Sequence, residues 1–382
     1  MNPYMDDCKD KTEQRMGEVA LRKYARAILI GLGIMSLASA GAAVIFTQKN
    51  DLRKLAKDER HLVIYSATDE GEAAELLDAF RKRYPFISVD YRSLAARDVY
   101  GRFKAESDAG RNVADLVINS AMDLQIKLVN DRYAQAYRSP ERHTLPDWAV
   151  WKDQAFAVSA EPIVIGYNPQ LLPTSTVPKT HDELAVLLHR NPQVLAGRIG
   201  SYDPLLSPTG YLYVTQDVHM DSDAWDLIGA IGRARPKLYQ SSKTMISDVS
   251  SGRLALAYNV IGSYAFERAA HDPNFQVVVP RDYVLMMSRV TLIARRAPHP
   301  ASAKLFLNFM LSREGQALLA KHHMNPVRLD MAPDDKALVG ANVRAVRVGP
   351  ALMANIDAMT FARFTRKWRE AASERPPTKT NS

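Results

Sequence analysis

From residue 61 onward, short β-rich runs alternate with amphipathic stretches, and this alternation restricts the chain to few folds. HLVIYSA (61–67) and ISVDYRSL (87–94) predict strands, and GEAAELLDAFRKRY (71–84) between them predicts a helix. Strand, helix and strand close within about thirty residues, which is typical of βαβ units and mostly parallel sheets. The sequence therefore predicts α/β lobes.

The same alternation continues along the chain. Further predicted strands are ADLVIN (114–119), EPIVIGYN (161–168), GRIGSYD (197–203) and RLALAYNV (253–260). GRIGSYD begins what we interpret as a second sheet, for which KLYQ (237–240) is a further candidate strand, and residues 275–296 form a long β-rich stretch split by Pro280. PHPASAKLFLNFMLSREGQALLAKHH (298–323) predicts one amphipathic helix, and residues 353–372 predict a last one.

Length and composition agree with two soluble lobes. At roughly 150 residues per domain, 382 residues suffice for two cores. Hydrophobic residues at 47% and charged residues at 24% exclude a disordered, collagen-like or polytopic membrane chain. The net charge of +8 is spread out, without the runs of like charge that indicate nucleic-acid binding. The single cysteine, Cys8, excludes an intrachain disulfide.

Residues 27–46, AILIGLGIMSLASAGAAVIF, form the one long uncharged apolar run, and Arg22, Lys23 and Arg26 precede it. This pattern predicts export. The run is long enough for a retained membrane anchor, and Ala38–Ala40 also fits a signal-peptide cleavage site. Both alternatives place residues 61 onward in the periplasm or outside the cell.

Small polar residues follow the predicted strands or precede helices, where open α/β sheets bind ligands. The candidates are Ser66, Thr68, Asn119, Ser120, Ser207, Thr209, Gly210, Asn259 and Ser263. Hydroxyls, amides and free N–H groups at helix N-termini make an anion site, although Ser, Thr and Asn are also common N-caps. Arg289 is either a guanidinium partner for an anion or, as one of many arginines in a basic chain, holds a surface or lobe contact.

Motifs for catalysis and cofactor binding do not occur in this sequence. G-x-G-x-x-G, a Walker loop, H-E-x-x-H and G-x-S-x-G are all missing. The nine histidines show no zinc spacing. We therefore predict a binding protein with no catalytic residues, no cofactor and no bound metal.

Several segments resemble bacterial ABC-importer solute-binding proteins with the type II periplasmic fold, in the branch that contains ferric-ion binders. They are residues 62–91, 114–131, 161–173, 197–213, 252–264 and 297–316. The resemblance implies two α/β lobes hinged by crossing strands, a solute held between them, and delivery to an inner-membrane permease. It assigns residues 1–60 to a cytoplasmic tail, signal or anchor and linker, 61–162 with 278–370 to lobe 1, 163–277 to lobe 2, and 371–382 to a disordered tail.

The chain departs from the ferric binders at the positions of their metal ligands. By this alignment Thr68 or Asp69, and Asn119 or Ser120, replace the first ligands, and of the tyrosine pair only Tyr264, with Tyr258 nearby, remains. Iron(III) is a hard cation that needs anionic oxygen ligands. We therefore expect a small anion, a phosphorylated or phosphonate compound or a carboxylate. The alternatives are a ferric-ion carrier and a membrane-anchored subunit that signals to a sensor kinase.

Overall fold

The computed structural model describes residues 51–190, 193, 195–333 and 338–373. The chain divides into two compact units, Met1–Lys54 and Leu55–Ser382, and both sheets belong to the second. The predictions for Cys8, for the apolar run 27–46 and for the tail beyond residue 373 lie outside the described residues. Within the described ranges, no helix combines the length and apolar character needed to cross a bilayer.

The strands follow the predicted runs closely. They are β1 (His61–Ser66), β2 (Ser88–Ser93), β3 (Leu116–Asn119), β4 (Val150–Trp151), β5 (Ala155–Ala157), β6 (Glu161–Tyr167), β7 (Ile199–Tyr202), β8 (Lys237–Tyr239), β9 (Leu256–Ile261), β10 (Gln276–Val278), β11 (Val284–Met287), β12 (Val290–Ile293) and β13 (Val343–Ala345). Every residue of β3, β6, β7, β9, β11 and β12 is buried. Continuous apolar runs of this kind are typical of strands covered on both faces.

The helices lie between these strands. They are α1 (residues 51–59), α2 (Glu70–Arg83), α3 (Ala96–Asp108), α4 (Met122–Asn130), α5 (His181–Arg190), α6 (Pro208–Met220), α7 (Ala224–Arg233), α8 (Ser242–Ser250), α9 (Gly262–His271), α10 (Pro300–Leu311), α11 (Arg313–Ala320) and α12 (Ala358–Ser373). Pro140–Thr144, Asp147–Ala149 and Pro350–Asn355 form short 3-10 turns.

Two mixed sheets form the cores. The first has the order β2-β1-β3-β12-β5-β4, with β1 parallel to β2 and β3. The second has the order β13-β11-β6-β9-β7-β8, and β10 also pairs with β6. Helices α5 and α7 pack their buried leucines and isoleucines on the second sheet, and α12 packs Phe364 and Trp368 against Tyr211 of α6. The predicted two-lobe α/β fold is confirmed.

Two adjacent segments carry the chain from one sheet to the other. Residues 158–160 join β5 to β6, and Ser288 and Arg289 join β11 to β12. The Val158 N–H donates to the Arg289 carbonyl at 2.9 Å. The Arg289 N–H donates to Ser159 Oγ at 3.0 Å. The predicted crossing strands are therefore present and bonded to each other.

Residues 278–370 were expected to return to lobe 1 as a whole. Of the strands in this range, β12 belongs to the first sheet, whereas β11 and β13 belong to the second. Helix α12 also packs on α6 and α7, which lie beside the second sheet. The lobe boundaries themselves stay a prediction.

The single helix predicted over 298–323 is wrong, because α10 ends and α11 begins at Ser312. The Ser312 backbone is extended, and its Oγ accepts from the Gly315 N–H and donates to the Phe309 carbonyl. A Cβ at position 315 would lie 2.1 Å from that carbonyl oxygen. Gly315 therefore permits the tight turn between two helices whose apolar patterns run on without interruption.

Candidate functional site

A cavity of about 290 Å³ lies between the loops of the two sheets, and we call it the gap. From the side of the first sheet it is lined by Ala67, Asp69, Ser93, Leu94, Ala95, Ala96 and Ser120. From the side of the second sheet it is lined by Tyr202, Thr209, Gln240, Ser241, Ser242, Ile261 and Tyr264. Most of these residues follow strands β1, β2, β3, β7, β8 and β9, so the strand ends of both lobes face one space.

Six helices direct their N-termini at the gap. Its lining includes Asp69 at the start of α2, Ala95 and Ala96 of α3, Ser120 before α4, Thr209 of α6, Ser241 and Ser242 of α8, and Ile261 and Tyr264 of α9. Each helix has at least nine residues. The N-terminus of a helix carries unpaired N–H groups and about half a positive charge. The helix ends therefore offer backbone N–H groups and partial positive charge to the gap, beside the carboxyl group of Asp69.

Four of these helices lack a side-chain cap. The N-cap residues Asp69, Ala95, Ala121 and Ile261 make no capping bond to their own helix. At α6 and α8, by contrast, Ser207 Oγ accepts from the Gly210 N–H and Ser241 Oγ from the Lys243 N–H, both at 3.2 Å. Backbone donors of the uncapped helices can therefore serve a guest in the gap.

The lobes are in contact across the gap. Ser120 Oγ lies 3.2 Å from Thr209 Oγ1, and Arg97 Nη2 donates to the Leu205 carbonyl at 3.2 Å. Ser120 follows a strand of the first sheet, and Thr209 opens a helix beside the second. The structure is thus a closed form, in which the two hydroxyls bond to each other.

Three of the predicted site residues, Ser120, Thr209 and Tyr264, line the gap. A fourth, Gly210, supports it: a Cβ at this position would lie 2.4 Å from Tyr202 Cβ, so only glycine lets α6 begin this close to the end of β7. Two other predicted residues form hydrogen bonds that stabilise their own loop or helix. The Asn119 amide bonds to the Ala96 carbonyl and the Ala121 N–H, and Ser207 caps α6.

Ser66, Thr68, Ser263 and Arg289 lie together at the crossing strands instead of lining the gap. The Arg289 side chain is only 3% exposed, and Glu161, with a fully buried side chain, accepts from its Nε at 2.9 Å and its Nη2 at 3.1 Å. Ser66 Oγ accepts from the Thr68 N–H at 3.0 Å. The guanidinium predicted to pair with an anion already has a carboxylate partner within the protein.

Tyr258 and Asn259 face a buried carboxylate. Tyr258 Oη and Asn259 Nδ2 donate to Asp217 Oδ2 at 3.0 and 2.6 Å, and Tyr283 Oη donates to its Oδ1 at 3.0 Å. The ring of His181 stacks on Tyr283 with a centroid distance of 4.3 Å. Neither Tyr258 nor Asn259 is among the residues that line the gap, so both are placed where they hold α6 against β9.

Burial determines the protonation of the ionisable side chains near the gap. It raises the pKa of Tyr202 to about 12, although a hydrogen bond with Ser242 opposes it. Burial also raises the pKa of Tyr264, against the charge of Arg289. Burial raises the pKa of Glu72 to about 7; the charge of Arg289 opposes this rise, and the charge of Glu161 adds to it. In the ranges that the structure describes, no three His, Cys, Asp or Glu side chains are grouped as metal ligands.

Sequence reasoning missed Ser93–Ala96, Tyr202 and Gln240–Ser242 as lining residues. The signal for Ser241 was present, since it follows the predicted strand KLYQ and is a good N-cap. The alanines and Leu94 contribute backbone, which leaves no residue-type signal.

Residues 75–342 match the model of the family described as "Bacterial extracellular solute-binding protein". The chain belongs to this family. A crystal structure of the substrate-binding protein of an ABC transporter from Agrobacterium tumefaciens is 35% identical, with a TM-score of 0.77 over 82% of this chain and 94% of that one. No curated protein sequence matches the chain. As a member of the extracellular solute-binding family, the chain is the solute-binding component of an ABC transporter and is not an enzyme. Solute-binding proteins of ABC importers work with inner-membrane permease and ATPase components.

More distant structures share the fold. The periplasmic binding protein AfuA from Actinobacillus pleuropneumoniae, with fructose-6-phosphate bound, is 18% identical, with a TM-score of 0.68 over 82% of this chain and 98% of that one. Iron-bound HitA from Pseudomonas aeruginosa is 18% identical, with a TM-score of 0.65 over 81% and 99%. The predicted resemblance to this group of binding proteins is confirmed.

Proposed function

We propose that this solute-binding protein captures a small anionic solute in the gap, namely a phosphorylated or phosphonate compound or a carboxylate. The observation that carries the proposal is the convergence of six helix N-termini, four without a side-chain cap, on one interlobe cavity. Backbone N–H groups at helix N-termini bind phosphate and carboxylate groups in many proteins.

The side chains around the gap fit a guest held by hydrogen bonds. Ser120, Thr209 and Ser241 offer hydroxyls from both lobes. Arg289 is neutralised by Glu161, and Lys243 Nζ lies 3.7 Å from Asp69 Oδ2. The attraction for an anion therefore comes from the helix ends. When the solute binds, the hydroxyls of Ser120 and Thr209 exchange their bond to each other for bonds to the solute. The phosphate ester bound by AfuA in the same fold gives further support.

Ferric ion is the second candidate, because Asp69, Tyr202 and Tyr264 bring hard oxygen donors to the gap. Iron-bound HitA shares the fold. Iron(III) needs several anionic oxygen ligands, whereas Asp69 is the only carboxylate among the described residues that line the gap. We therefore favour the anion.

Isothermal titration of the purified protein with fructose 6-phosphate, an alkylphosphonate, citrate and ferric citrate tests the proposal. We expect at least one iron-free anion to bind. Thr209→Val and Ser120→Ala should each weaken that binding by about fivefold, since each removes one hydrogen bond of about 1 kcal/mol. Thr176→Val is the matched control, because Thr176 Oγ1 is exposed and bonds only to the Pro173 carbonyl.

Two results would contradict the proposal. One is no binding of any iron-free anion together with a visible absorption band on addition of ferric citrate, which would indicate the iron carrier. The other is anion binding that Thr209→Val, Ser120→Ala and Thr176→Val leave equally unchanged, which would place the anion outside the gap.

We also propose that the protein acts in the periplasm after export by residues 27–46, as a cleaved signal or a retained anchor. The family's extracellular character supports this location. The comparisons give no support to the alternative of a sensor-kinase partner. N-terminal sequencing of the protein from membrane and periplasmic fractions would distinguish a cleaved from an intact N-terminus.

A further inference from the structure

One guanidinium group connects the two lobes of the closed form. Arg289 Nη1 donates to Thr68 Oγ1 at 2.8 Å, and Nη2 contacts Glu72 Oε2 at 3.2 Å and Ser263 Oγ at 3.4 Å, in addition to the two bonds to Glu161. We call these five residues the hinge cluster. All three nitrogens of the guanidinium donate to protein groups, so the cluster does not need a solute to form.

The partners of Arg289 belong to different lobes. Thr68 follows β1 of the first sheet, and Glu72 lies in α2, which packs on β2 of that sheet. Glu161 begins β6 of the second sheet, and Ser263 lies in α9, which packs on β6 and β9. Separation of the lobes must therefore take one pair of partners away from the guanidinium.

The pair that leaves on opening is Thr68 and Glu72. The Arg289 N–H is bonded to Ser159 Oγ, and Ser159 Oγ donates to Glu161 Oε1 at 2.6 Å. Arg289 and Glu161 are thus fixed to the same crossing strands, and their bidentate pair is the stronger contact. The bonds to the first lobe are single and can break on opening.

We propose that Arg289 is a positioning residue that holds the closed form through Thr68 and Glu72, and so sets how readily the lobes open. It acts on solute affinity through the open–closed equilibrium and does not touch the solute. The inference does not depend on which solute binds, and it remains open to test if the anion proposal fails.

Glu72 makes this contact dependent on pH. Arg289, Glu161, Asp69 and Lys243 act on its charge. The wall of the adjoining cavity of about 460 Å³ also carries Tyr264, Glu267, Arg268, His271, Asp272 and His322. Arg268 Nη1 lies 3.5 Å from Asp272 Oδ2, so these two charges offset one another, and His271 Nδ1 lies 3.7 Å from Glu267 Oε1.

The sign of the pH effect follows from burial. In the closed form the pKa of Glu72 is about 7, and opening exposes the carboxyl to water and returns it toward 4.5. The closed form therefore binds the proton more tightly and is favoured at low pH; the advantage is lost as the pH rises through 7. The closed-to-open ratio should be larger at pH 5.5 than at pH 8 by at least about threefold and at most about thirtyfold.

Small-angle X-ray scattering of the solute-free full chain at pH 5.5, 7 and 8 tests the proposal. We expect the radius of gyration of the wild type to increase with pH. Glu72→Gln, which cannot ionise and still accepts from Arg289, should stay closed at all three pH values. Arg289→Lys should be more open than the wild type throughout. Thr68→Val, which removes a single bond at constant volume, should shift the same way and replaces Arg289→Lys if that variant does not fold.

Arg328→Lys is the matched control. Arg328 is also buried and paired with carboxylates, Glu141 and Asp330, but it lies outside the hinge cluster. It should lower the free energy of unfolding without changing the radius of gyration. An unchanged radius in both Arg289→Lys and Thr68→Val would overturn the role of Arg289. Absence of a pH response in the wild type, or the same response in Glu72→Gln, would overturn the role of Glu72.

Discussion

The replacement Gly210→Ala tests whether the close approach of α6 to β7 sets the geometry of the gap. The added Cβ would lie 2.4 Å from Tyr202 Cβ and 3.0 Å from its Cγ. Carbon atoms in contact prefer about 3.5 to 4 Å, so the start of α6 must move by roughly 1 Å. Overpacking of this kind costs about 1 to 3 kcal/mol, and the better helix propensity of alanine returns at most about 1 kcal/mol.

The same displacement separates Thr209 from Ser120, which are 3.2 Å apart. A further 1 Å exceeds hydrogen-bond distance. We expect Gly210→Ala to lower the free energy of unfolding in urea by about 1 to 2 kcal/mol and to weaken solute binding by about tenfold.

The matched control is Gly101→Ala in the middle of α3, where a Cβ meets nothing within 4 Å. This variant should gain up to about 1 kcal/mol and bind as the wild type does. The reasoning would be refuted if the two alanine variants had the same stability and the same affinity.

Three further predictions concern the rest of the second lobe. Asn259 has a left-handed backbone (φ 60°) and donates a hydrogen bond to Asp217. In urea unfolding, Asn259→Gly should lower the free energy of unfolding by about 1 kcal/mol through loss of the hydrogen bond, and Asn259→Ala by about 1 kcal/mol more because alanine also disfavours this backbone. Equal losses in the two variants would contradict the role of the backbone. The pKa of His181 is raised because the bond to Asp282 and the charge of Asp217 outweigh burial, so the stability it contributes is present below pH 6.5 and is lost as the pH rises through its folded value. The deficit of His181→Gln in urea unfolding should therefore be larger at pH 6 than at pH 8.5, and a constant deficit would count against the network. Trp368→Ala should cost about 3 kcal/mol in the same assay if α12 is part of the folded unit, and a loss near zero would show that it is not.

The sequence predicted most strands because their apolar runs are short, continuous and bounded by polar turns. It missed α8 and α9 for local reasons. SKTMISDVS is short and rich in serine, which favours a loop, and α9 follows β9 directly, with Ile261 in place of a polar N-cap. Both helices direct N-termini at the gap, so two of the six helix ends at this cavity were missed.

The candidate site shows where sequence reasoning stops. Neighbouring residues in a regular strand point to opposite faces, so the alternation alone does not bring Tyr258 and Asn259 to one partner. The left-handed backbone at Asn259, in a strand pair whose register shifts, brings both side chains to Asp217. A positive φ at asparagine cannot be predicted from the residue pattern, because asparagine tolerates this conformation but does not require it.

Arg289 shows the same limit over a longer distance. Its partner Glu161 is 128 positions away, and the two meet only because the crossing strands lie side by side. Since this pair neutralises the cation beside the gap, the positive field that an anion meets comes from backbone dipoles. These dipoles are fixed by packing and are largely shielded from salt inside a closed gap. Gly210→Ala, which moves the start of α6, should therefore reduce the affinity for the proposed anion at the site itself, whereas Arg289→Lys should act on it through the open–closed equilibrium.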